Sequence, residues 1–130
     1  MSRESSRQLG PMTLLLLLAC TREVSREGER EVESARGAIM RSDARELETN
    51  GPQQGIFSVS WEWRFVTSQA AAPYRTELMH ALQPAFRCQE DRRRVLCSRT
   101  LPGDKLSLDV RANPSRDDTL VKARLTMSAD

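Results

Sequence analysis

The side chains best suited to chemistry are few and poorly grouped. His80 is the single histidine, and no Gly-x-Ser-x-Gly turn presents a serine to it, so a serine hydrolase arrangement is not encoded. Two carboxylate pairs occur, Glu90-Asp91 and Asp117-Asp118. Sequence neighbours on an extended chain point to opposite faces, and both pairs fall in expected turns, which suits solvated residues better than a general acid and its base. No second ligand stands at a familiar metal spacing from His80, so no metal site, no catalytic residue and no cofactor are assigned. One cluster does suit recognition. Arg92, Arg93 and Arg94 are consecutive, and guanidinium groups bind carboxylate, phosphate or anionic lipid through paired hydrogen bonds. They form a candidate anion or partner contact, although Glu90 and Asp91 beside them would offset part of their field.

Composition narrows the partner class. The chain has 130 residues, with 20 Lys+Arg against 18 Asp+Glu and a formal charge of +2. A balance so close to neutral does not ask for nucleic acid, and one small domain is the expected organisation.

The address comes from the first twenty residues. Leu14 to Leu18 and Ala19 form an apolar block that ends at Cys20, with Arg3 and Arg7 ahead of it. The block is too short to span a bilayer as a helix and suits the apolar centre of an export signal. Leu17, Leu18, Ala19 and Cys20 resemble the lipobox of a bacterial lipoprotein, with Leu three places before the cysteine and a small residue just before it. The resemblance implies a signal peptide over residues 1–19, cleavage before Cys20, and diacylglycerol on its sulfur. Leu18 departs from the pattern, which favours a small or β-branched residue there. By the same resemblance, Thr21 in place of Asp implies an outer-membrane address facing the periplasm. With Cys20 lipidated, Cys88 and Cys97 are left as an even pair in a compartment where disulfides persist.

Residues 20–30 then read as the lipidated cysteine and a charged tether, and residues 31–130 as a single domain. Val32, Ala35 and Ile39, with Met40, Ala44 and Leu47 beside them, predict an amphipathic helix over 31–49 that stops at Asn50-Gly51-Pro52. Phe57, Val59, Trp61, Trp63 and Phe65 alternate with polar residues and predict a strand with one buried face. That shared parity makes the tryptophans core residues rather than a sugar-stacking platform. Pro73 and the stripe Leu78, Ala81, Leu82, Ala85 predict a second helix.

Two arms, 86–90 and 95–99, predict a hairpin turning between Arg92 and Arg93, which places Cys88 opposite Cys97 and Glu90 opposite Val95. Alternation at Leu106, Leu108 and Val110, a break at 113–115, and a last strand through Leu120 to Met127 complete the chain. The expected fold is an α+β two-layer sandwich, a mostly antiparallel sheet of about five strands with two helices in the order α-β-α-β-β-β-β. The expected role is a non-enzymatic accessory lipoprotein of the cell envelope, attached to membrane through Cys20 and presenting the domain to an envelope protein partner. Its candidate contacts are the arginine tip and, second, the sheet face carrying Ser58, Ser60, Glu62 and Arg64. The alternative is a module that binds a small ligand or inhibitor in a cleft between helix and sheet.

Overall fold

A computed structural model describes residues 26–129. The lipobox, Cys20 and the signal peptide lie outside the described residues. Two helices, α1 (Arg26–Ile39) and α2 (Ala71–Leu82), cover one face of a sheet of six strands: β1 (Arg45–Gln54), β2 (Ser58–Thr67), β3 (Arg87–Asp91), β4 (Arg94–Leu101), β5 (Asp104–Ser115) and β6 (Asp118–Ala129). The sheet order is β1-β2-β6-β5-β4-β3, with every neighbouring pair antiparallel. The α+β fold with two helices and an antiparallel sheet is therefore as expected. The last four strands form the expected meander, and β6 closes it against the tryptophan strand β2.

The core lies between helices and sheet, and alternation builds its sheet side. Val59, Trp61, Trp63 and Phe65 of β2 are buried, as are Leu106, Leu108 and Val110 of β5 and Val121, Leu125 and Met127 of β6. From the helices come Val32, Ala35 and Ile39 of α1 and Ala71, Tyr74, Leu78 and Leu82 of α2. The α2 stripe differs from expectation because Ala81 is exposed and the helix ends at Leu82, leaving Ala85 beyond it and also exposed. Tyr74, one turn before Leu78, carries the burial instead. Its phenol donates a hydrogen bond to the Ile39 carbonyl at 2.6 Å, and its ring meets Phe65 edge-on at 6.2 Å. Burial raises the pKa of that phenol well above its ordinary value, so it remains a donor to the end of α1.

Four expectations about the N-terminal half are corrected. The helix begins at Arg26, so residues 26–30, expected within the tether, are already helical. Glu and Arg are strong helix formers, and a charged stretch without apolar periodicity serves a solvated helical turn as well as a tether. The helix also ends at Ile39 rather than Thr49, and a sixth strand, β1, follows it. This edge strand is almost wholly exposed, so it has no apolar alternation to betray it. Asn50-Gly51-Pro52, expected as a helix stop, is instead an irregularity in that strand, where the register shifts between Asn50 and Gln53. Gly51 has φ 121°, and a Cβ there would lie 2.8 Å from the Ser60 carbonyl oxygen. Only glycine fits. Pro52, lacking an N–H, is tolerated because it lies on an edge. Finally, Phe57 is 76% exposed and precedes β2, so the buried alternation starts at Val59.

The hairpin β3–β4 has the expected register, with Cys88 opposite Cys97 and Glu90 opposite Val95, and a disulfide joins the two cysteines. Arg92 at its turn adopts φ 58°, the left-handed conformation. The expected break at 113–115 is absent, since β5 stays paired with β6 through Ser115 and Asp118.

Candidate functional site

The face of the sheet away from the helices is polar, and its register sorts it into rows. Residues directly opposite on neighbouring strands hold their Cβ atoms about 4.5–5.5 Å apart. One row starts at Asp91 on β3, runs Arg94, Arg111, Lys122, Arg64, four cations on four adjacent strands, and ends at Glu48 on β1. The next runs Leu96, Asp109, Arg124, Glu62, Asn50. Beyond it lie the hydroxyls of Ser98, Ser107, Thr126 and Ser60.

Like charges in register repel, and carboxylates relieve only the ends of the basic row. Arg94 pairs with Asp109 at 2.6 Å, and Arg64 with Glu48 at 3.3 Å. The Asp109 contact raises the pKa of Arg94, and hydrogen bonds from Asn50 and then Arg64 hold the Glu48 carboxyl below its ordinary value. Arg124 pairs with Glu62 at 3.5 Å. Arg111 and Lys122, both exposed, have no carboxylate within 4.0 Å among the described residues.

The arginine tip joins this row. Arg92, Arg93 and Arg94 line an open hollow of about 280 Å³ together with Arg111 and Asn113. Arg92 and Arg93 are exposed and likewise without an ion pair among the described residues. Of the two carboxylates expected to offset the cluster, Asp91 stands opposite Arg94 and its charge acts on that guanidinium, whereas Glu90 points to the helix side and pairs with Arg75 of α2 at 3.2 Å. Its position opposite the buried Val95 sets that direction. Arg92, Arg93, Arg111 and Lys122 thus form one patch of cations without ion pairs among the described residues that spans the tip and the middle of the open face, with Asp109 and Glu62 bordering Arg111 and Lys122. Arg64 belonged to the polar face already legible in the sequence. Arg111 and Lys122 were missed, although counting the β5–β6 register would have placed them side by side.

The arrangement can bind anions. Among the described residues no three His, Cys, Asp or Glu side chains are grouped to hold a metal ion. His80 is exposed on α2. The layer between helices and sheet, where the alternative reading needs a cleft, is filled by Phe65, Tyr74, Leu78 and Leu82, none more than 3% exposed. A wider open groove of about 460 Å³ does exist, but on the polar face, between the disulfide hairpin and residues such as Ser107, Asp109 and Arg124.

Fold and site together define a two-layer α+β domain with a basic open sheet face. No family model matches the chain, and no curated protein matches it. Two solved structures resemble its fold distantly. CalU16 from Micromonospora echinospora is 14% identical, over 67% of this chain and 72% of that one, with a TM-score of 0.41. LpqN, involved in cell envelope biogenesis of Mycobacterium tuberculosis, is 14% identical over 70% of this chain and 69% of its own, with a TM-score of 0.40. Likeness of this degree carries no functional assignment.

Proposed function

We propose that the protein is a non-enzymatic accessory lipoprotein of the cell envelope, held in the membrane by lipidated Cys20 and docking an acidic protein surface with its basic open face. The supporting observation is the patch Arg92, Arg93, Arg111 and Lys122. Four cations that make no ion pair among the described residues leave a field, only partly offset by the nearby Asp91, Asp109 and Glu62, that an acidic partner would neutralise. The polar character of the rest of the face suits a wet, reversible interface rather than an obligate one. Thr21 after the lipidated cysteine supports an outer-membrane address facing the periplasm.

Two measurements test the two halves of this reading. For the anchor, Cys20→Ser is expected to release the protein from membranes and to remove the lipid mass from the mature chain. Unchanged partition and unchanged mass would sink it. For the contact, the full chain in neutral detergent is titrated with poly-glutamate. Replacing Arg92, Arg93, Arg111 and Lys122 by serine is expected to weaken binding roughly ten- to hundredfold, given up to about 1 kcal/mol for each exposed pair. The loss should shrink as salt rises. Equal binding by both proteins at low salt would remove the patch from the account.

A further inference from the structure

The β1–β2 hairpin carries an apolar tip that the core does not use. No charged residue stands between Glu48 and Glu62, in a chain that is 29% charged. The tip is closed by the Gly55 N–H donating to the Ser58 carbonyl oxygen at 2.7 Å, and this turn holds Ile56 and Phe57 outward at 66% and 76% exposure. Two adjacent large apolar side chains displayed on an ordered turn are poor solvent contacts and good interfacial ones.

Their place in the fold says what they would meet. Glu31 in the first half of α1 bonds to Arg99, which lies in the same cross-sheet row as Leu106, Met127 and Val59. That row is next to the tip. Glu29, Val32 and Glu33 border a shallow hollow with Pro52 and Trp61, whereas Arg36, further along, reaches Glu46. The helix therefore starts at the tip end of the sheet and runs away from it. Residues 21–25 separate Arg26 from Cys20, and a fully extended link of that length reaches about 20 Å. The arginine tip lies at the opposite end of the sheet, since β3–β4 turns there.

We infer that Ile56 and Phe57 enter the headgroup–acyl boundary of the bilayer that holds Cys20, as a second membrane contact that orients the domain with its arginine tip outward. The inference rests on the proposed lipidation of Cys20. A single lipid attachment leaves a domain free to pivot, and a rigid apolar tip beside the attachment point removes that freedom. The absence of charge on the tip lets it enter without desolvating an ion.

The test uses the full chain purified from membranes and reconstituted into phosphatidylcholine–phosphatidylglycerol vesicles whose acyl chains carry bromine near the headgroup. Trp61 and Trp63 are buried, so the difference spectrum of a Phe57→Trp variant reports the tip. Its added emission is expected to shift to shorter wavelength and to be quenched by bromine, while that of an Arg93→Trp variant is not. Phe57→Trp emission as unquenched as that of Arg93→Trp would overturn the inference. A blue shift without quenching would also overturn it, marking burial against a second copy. The intact mass of the same preparations reports the lipid separately, so quenching without lipid upholds the tip and rejects the anchor, and lipid without quenching does the reverse.

Discussion

Replacing Phe65 with alanine is expected to lower the unfolding free energy by about 3–5 kcal/mol, while Phe57→Ala should change it by less than about 0.5 kcal/mol. The two residues share one alternating pattern and belong to different environments. Phe65 is 0% exposed, meets the Tyr74 ring edge-on at 6.2 Å, and stands between the sheet and the tyrosine that ties α2 to the end of α1. Truncating it leaves a void where sheet and both helices converge, and a close-packed interior cannot collapse to fill it. Phe57 sits on the exposed turn before β2, so its loss creates no cavity. Urea denaturation decides between them, with the midpoint falling and the slope unchanged for Phe65→Ala. Equal costs at the two sites would mean that β2 begins earlier and buries both.

Loss of the disulfide is expected to cost about 2.5–3 kcal/mol, measured on the Cys88→Ala, Cys97→Ala double variant against the oxidised protein. The two cysteines are nine residues apart, and the estimate is the chain entropy of leaving a loop of that length open in the unfolded state. For a domain whose total stability is roughly 5–15 kcal/mol this is a large share. The loss should also be uneven. β3 pairs only with β4 and is mostly exposed, so its amides should exchange faster by a larger factor than those of β5 and β6 at the centre of the sheet. Uniform acceleration across all six strands would show that the hairpin is not a separately opening unit.

The parts legible in the sequence are those where one face is apolar and the other polar. β2 from Val59, the β3–β4 register and the meander all follow from alternation and turn position, and the arginine tip follows from its place in that hairpin. β1 was hidden because an exposed edge strand has no buried face to give it a period. Asn50-Gly51-Pro52 misled for a related reason. The backbone freedom that ends a helix also makes a bulge, and only the neighbouring strand distinguishes them. The basic row was hidden differently. Arg64, Arg94, Arg111 and Lys122 are far apart in the chain, and no local pattern joins residues that meet only through the register of four strands.

That register builds the patch around Arg111 and Lys122 on which, in the proposed function, an acidic envelope partner docks. The most direct measurement places a photo-crosslinking amino acid at Asn113, which borders the arginine hollow, and irradiates cells that make the full-length protein. One discrete protein adduct is expected, with a yield that falls severalfold when Arg92, Arg93, Arg111 and Lys122 are serine and a partner that has an acidic surface at the crosslinked position. An adduct of undiminished yield in the serine variant, or none from Asn113 while a residue on the helix-covered side yields one, would contradict this docking.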